Sequence, residues 1–163
     1  MEPGESDGTD VRPSAPLNSA QLAAFVRLAP MATWDDVARL ALDLPETDER
    51  LSRGNRQWRV KDKLFVWERP LRQTDLKALG PEAPKGAILG ARVEHLMAKE
   101  ALIADPSGVF FTTPHFDGYP AILVKLDEIG PEDLEEVVTE AWLARAPARV
   151  VQAYLAEHED SAP

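Results

Sequence analysis

The sequence predicts an α+β fold, an antiparallel sheet with helices on one side, and three observations predict it. Residues 56–70, Arg-Gln-Trp-Arg-Val-Lys-Asp-Lys-Leu-Phe-Val-Trp-Glu-Arg-Pro, read as a β-hairpin: Trp58 and Val60 alternate with polar neighbours, Lys61-Asp62-Lys63 interrupts, and an aromatic and β-branched run resumes. Two more strand-like runs, 109–113 and 121–126, stand far downstream. Segments of helical spacing separate them in an irregular order that suits an antiparallel sheet better than repeated βαβ units. No internal repeat is visible.

Taken in order, residues 1–16 are rich in Gly, Pro, Ser and Asp, lack apolar periodicity and are expected to be disordered. Asn18 or Ser19 caps a short expected helix carrying Leu22, Phe25 and Val26 and ended by Pro30. Residues 1–30 are therefore an extension, disordered or weakly helical, to a single domain over 31–158, with a disordered tail at 159–163. Met31 stands directly ahead of a strong helix start and is a candidate natural first residue.

Thr33 followed by Trp34-Asp35-Asp36 has the form of an N-cap with first-turn acids, and Val37, Leu40, Ala41 and Leu44 recur at helical spacing up to Pro45. Residues 46–53 form an extended polar edge before the hairpin. Residues 74–80 read as a short helix stopped by Gly80, and 81–86 as a loop. A strand at 87–94 is interrupted by Gly90, and an amphipathic helix at 95–104 closes at Asp105-Pro106. After the loop 114–120 and the last strand, Gly130-Pro131-Glu132-Asp133 opens the longest helix. Its core face is Leu134, Val137, Val138, Ala141 and Trp142, and Pro147 breaks or kinks it before Val150, Val151, Tyr154 and Leu155.

Composition removes whole classes of function. No cysteine is present among the 163 residues, which excludes disulfides, thiolate metal sites and cysteine nucleophiles and suits a reducing cytoplasm. The leading residues are acidic where a secretory signal is basic, and no apolar run reaches membrane-spanning length, so neither export nor a membrane partner is expected. The net charge of −10 opposes general attraction to nucleic acid, yet it is unevenly spread. Eight basic residues against two acidic ones lie between Arg50 and Arg72, and ten acidic against two basic between Asp127 and Asp160. Such asymmetry points to a polyanionic partner.

The segments Trp34-Asp35-Asp36-Val37 to Pro45-Glu46, Trp58-Arg59-Val60 with Lys63-Leu64-Phe65-Val66-Trp67, Arg69-Pro70-Leu71, the run from Phe110 through His115-Phe116-Asp117-Gly118-Tyr119-Pro120, and Glu140-Ala141-Trp142 with Ala146-Pro147 together resemble the MmcQ/YjbR family of small bacterial proteins. The resemblance spans about 33–155. It implies a frataxin/CyaY-like fold, a twisted antiparallel sheet packed on helices, and a DNA-binding label that brings no catalytic residues. Where the family often has glycine in the hairpin turn, this chain has Asp62.

Two sites follow. The hairpin offers Arg56, Arg59, Lys61, Lys63 and Arg69 to phosphates, with Trp67 or Trp58 to stack on a base. The plainer reading makes these charges a solvated face and the tryptophans core. The loop offers His115 and Asp117 as a base with an orienting carboxylate, or as metal ligands, and Tyr119 as a hydroxyl; the same residues also read as turn chemistry. His95, His115 and His158 lack metal-ligand spacing, so no metal is expected. Glu132, Asp133, Glu135, Glu136 and Glu140 read as a solvated helix face rather than a cation site. Nucleotide loops, nucleophile elbows and zinc-protease motifs are missing, and no cofactor is expected. The leading expectation is a monomeric, non-enzymatic DNA-binding protein. The alternatives are a small-molecule-binding or weakly catalytic domain using residues 115–119 with Arg59 or Trp67, and an adaptor presenting its acidic C-terminal helix to a protein.

Overall fold

The structure, a computed structural model, describes residues 31–159 together with Pro16, Asn18 and Ser19. The expected disorder of 1–16 (apart from Pro16), the helix through Leu22, Phe25 and Val26, and residues 160–163 lie outside the described residues.

Helix α1 (Trp34–Leu42) starts where Thr33 predicts. The Thr33 hydroxyl accepts from Asp36 N–H at 3.3 Å while the Asp36 carboxylate accepts from Thr33 N–H at 2.8 Å, a reciprocal capping box. The polar stretch after Pro45 becomes edge strand β1 (Thr47–Ser52), tied back to α1 by the Thr47 hydroxyl, which donates to the carbonyls of Ala41 and Leu44. Strands β2 (Asn55–Val60) and β3 (Lys63–Glu68) follow. Both hairpin turns use two residues with positive φ, Arg53 with Gly54 and Lys61 with Asp62, the left-handed geometry that matches strand twist.

Then come α2 (Gln73–Leu79) running into a 3₁₀ turn (Gly80–Glu82), β4 (Ile88–Arg92), α3 (Leu96–Ile103), β5 (Phe110–Phe111), a 3₁₀ turn (Pro114–Phe116), β6 (Ala121–Lys125), α4 (Pro131–Arg145) and α5 (Ala148–Glu159). Pro147 separates the last two helices. The described residues thus form an α+β unit with one antiparallel sheet of order β1-β2-β3-β4-β6-β5. No described helix is long and apolar enough to cross a membrane.

One sheet face carries the main core. Trp58, Val66, Ala91 and Ile122 lie in register across β2, β3, β4 and β6 and meet Val37, Leu134, Val138 and Trp142 of α1 and α4. Trp58 and Trp142 are fully buried, each worth roughly 2–3 kcal/mol in transfer free energy. Their indole N–H groups are satisfied by Glu49 at 2.9 Å and by the Pro45 carbonyl at 3.0 Å.

Three sequence expectations change. The hairpin's alternation does not run on through its second strand: a bulge opposite Trp58/Arg59 sends both Phe65 and Val66 into the helix-side core and puts Trp67 on the opposite face. Gly90 does not interrupt β4, which is continuous. Helix α3 is not amphipathic in the expected sense, because it buries Lys99 and exposes Leu96, Met97 and Ile103.

Candidate functional site

The second face of the sheet holds a smaller core and, beside it, a cleft. Gln57, Trp67, Gly90, Leu123 and Phe111 lie in register across five strands on this face. The Trp67 indole lies against Gly90 so closely that a Cβ there would stand 2.3 Å from its Cε2 atom. Glycine is therefore the seat of the ring. Ile88, Phe116, Ala121 and Leu123 are buried around it, with Trp67, Leu71 and Phe111 packed against them.

Phe116 reaches this core because the loop after β5 folds back as a 3₁₀ turn. Two cations from outside the loop hold it. Lys99 Nζ, buried, donates to the carbonyls of Phe116 and Tyr119, the latter at 3.0 Å. Burial pushes the Lys99 ammonium below the usual lysine range, and the nearby Asp117 carboxylate opposes that shift. Arg92 donates to the Pro120 carbonyl at 3.1 Å and to the Tyr119 hydroxyl at 2.7 Å, with its guanidinium 4.6 Å from the centre of the Tyr119 ring. Neither anchor was singled out from the sequence; the one available signal was the charged pair Lys99-Glu100 in the otherwise apolar run from Leu96 to Ile103.

Between this loop and the β2–β3 hairpin lies an open cleft of about 950 Å³. Its walls include Arg53, Gln57, Leu64, Trp67, Arg72 and the segment from His115 to Tyr119. Of the hairpin residues read as a site, Arg56, Trp67 and Arg69 line this concavity together with His115, Asp117 and Tyr119 of the loop, whereas Arg59, Lys61 and Lys63 lie outside it.

The basic residues divide into two groups. Arg50 is bonded to Asp48 and Asp62. Arg56 is bound by Glu49 at 2.9 Å and Asp35 at 3.3 Å, and Lys61 faces Glu46 at 3.3 Å. Arg69 is buried, 3.1 Å from Asp75 and 5.2 Å from the Phe116 ring centre. Burial favours protonation of Asp75, but the Arg72 N–H and the Arg69 charge outweigh it and hold the carboxyl below its ordinary range. The side-chain nitrogens of Arg53, Arg59, Lys63 and Arg72 have no carboxylate oxygen within 4.0 Å among the described residues. Arg59 instead donates to Gln57 and to the Asp62 carbonyl. Of these four, Arg53 and Arg72 line the cleft.

His115 and Asp117 are both exposed, and no hydrogen bond joins them. His115 meets Phe116 edge-on at 4.9 Å. No group of three His, Asp or Glu side chains among the described residues is placed to hold a metal ion. The arrangement can grip an anion beside an aromatic wall.

A family model described as YjbR matches residues 42–144. Uncharacterized proteins of Mycobacterium tuberculosis and Mycobacterium bovis are each 58% identical over 129 residues, covering 77% of this chain and 98% of theirs. The crystal structure of a Deinococcus radiodurans protein with a DUF419 domain is similar in fold, with a TM-score of 0.52 and 19% identity, covering 71% of this chain and 79% of that one.

Proposed function

The chain belongs to the YjbR family, and we propose that it is a cytoplasmic binding protein whose cleft takes a small anion with a planar aromatic part, a nucleotide-like molecule. The observation that carries this reading is the composition of the cleft wall. Trp67, fixed on Gly90, offers an aromatic surface, and Arg53 and Arg72 bring guanidinium groups with no carboxylate partner into the same concavity. Stacking on an indole is worth about 1–3 kcal/mol per base, and a guanidinium fork matches phosphate geometry. The volume falls in the range of ligand clefts.

The test is an equilibrium titration with adenosine monophosphate, followed by tryptophan fluorescence, beside adenosine and inorganic phosphate. Adenosine monophosphate should bind tightest. The Arg53→Glu/Arg72→Glu variant should lose at least about tenfold, or ~1.4 kcal/mol. Equal binding of the nucleotide and the nucleoside, or an unaffected double variant, would sink the reading.

Contact with DNA through the hairpin is a second reading, favoured by the two other cations without a carboxylate partner, Arg59 and Lys63. Its test is a titration of labelled duplex DNA against wild type and Arg59→Glu/Lys61→Glu.

A further inference from the structure

On the helix side of the sheet, α4 packs on β3 and β4. Toward β5 that face opens into a separate pocket of about 330 Å³, at the small end of ligand cavities. Its floor is apolar: Val93, Val109, Phe110, Ile122 and Val137. Asp133, Glu136 and Glu140 stand along it from one stripe of α4, the spacing that puts residues on a common helix face. None of these three carboxylates has a Lys or Arg nitrogen within 4.0 Å among the described residues. Arg92 also borders the pocket; its guanidinium is bonded to the Tyr119 hydroxyl and the Pro120 carbonyl, neutral groups that leave its charge in place, so the wall sets one cation against the carboxylates of Asp105, Glu128, Asp133, Glu136 and Glu140.

An apolar floor under an excess of negative charge selects its occupant by complementarity. An anion is repelled, and a neutral apolar molecule gains nothing from the carboxylates, which are exposed. A metal ion finds no group of three ligands placed to hold it among the described residues. We propose that this pocket is a second binding site, independent of the cleft, for an organic cation: an ammonium or quaternary amine carried on an apolar body. The body lies on Phe110, Ile122 and Val137, and the charged head faces Glu136 and Glu140.

The full-length protein is titrated with phenethylamine and, in parallel, with its uncharged counterpart 2-phenylethanol, following methyl signals of Val93, Ile122 and Val137 by NMR. The amine should shift these signals in a saturable way, bind at least about tenfold more tightly than the alcohol, and weaken as salt is raised. The exposed-face variant Glu136→Gln/Glu140→Gln, whose fold is checked by circular dichroism, should bring the amine down to the affinity of the alcohol. A second variant, Val137→Phe, fills the floor while keeping the charges and should abolish binding of both probes. Equal affinity for amine and alcohol, unchanged amine binding in the double glutamine variant, or shifts confined to surface carboxylates overturn the proposal. Adenosine monophosphate binding in the cleft is expected to be the same in both variants, so the two sites stand or fall separately.

Discussion

Gly90 decides where Trp67 can lie. A methyl group at this position meets the indole at 2.3–2.6 Å, and the ring has β4 beneath it, so the ring itself must move. Gly90→Ala should cost about 1–3 kcal/mol, the usual range for overpacking, measured by urea denaturation. The assignment of cause is checked by repeating the substitution in a Trp67→Leu background, where the penalty should largely disappear because neighbouring mutations couple. Asp75 and Arg69 form the other residue-scale unit. Both are buried, so Asp75→Ala leaves a guanidinium without its counter-charge and should cost about 3–5 kcal/mol. The Asp75 carboxyl titrates below its ordinary range in the folded state, so the unfolded chain takes up the proton first as pH falls. Its contribution is fully present above the unfolded value of about 3.9 and is lost as pH drops through the lower folded value. Asp75→Asn should flatten that acid limb of the stability profile.

Among the elements, the β2–β3 hairpin holds two residues in the left-handed region, Lys61 with φ 47° and Asp62 with φ 67°. Lysine there carries a Cβ penalty that asparagine and glycine relieve. Lys61→Asn/Asp62→Gly should raise the thermal midpoint by about 2–4 °C, even though it gives up the exposed contacts of Lys61 with Glu46 and of Asp62 with Arg50. An unchanged or lower midpoint would mean that those contacts matter more than the backbone. This hairpin was legible in the sequence because period-two alternation and an Asp-containing break are local signals. So were the capped α1 and the Pro147 break between α4 and α5. The bulge was not legible: it moves Phe65 and Trp67 to different faces through pairing with β2, and no residue in β3 alone announces it. Helix α3 failed for a related reason. Its buried face is chosen by two loop carbonyls that accept from Lys99, partners far away in sequence, so a hydrophobic count places its inner face wrongly. The loop 114–119 was recognisable as a candidate site, but its meeting with the hairpin depends on the whole sheet order.

For the whole molecule, charge decides the scale of ligand that can approach. The basic segment looks strongly cationic when read along the chain, yet α1, β1 and the turn between them bring Asp35, Glu46, Asp48 and Glu49 alongside, and half of its eight cations are paired with acids of the described residues. What remains in the cleft is a pair of guanidinium groups, Arg53 and Arg72, with Glu68 and Asp117 also on its walls, on a protein of net charge −10. Such a patch acts over about 8 Å at physiological salt. A small anion seated between Trp67, Arg53 and Arg72 experiences the patch alone. A duplex presents a long row of phosphates, and those beyond the cleft meet the acids of α1 and β1. Labelled duplex DNA should therefore show no saturable binding between 50 and 200 mM salt at protein concentrations that saturate with adenosine monophosphate, and Arg59→Glu/Lys61→Glu should leave nucleotide affinity unchanged. The contrary outcome is equally definite. Duplex binding that engaged all four cations without a carboxylate partner among the described residues, Arg59 and Lys63 of the hairpin with Arg53 and Arg72 of the cleft, would carry a log–log salt slope of about −3 to −4. Such a slope in wild type, lost in Arg59→Glu/Lys61→Glu, would replace the cleft reading with the DNA-binding one.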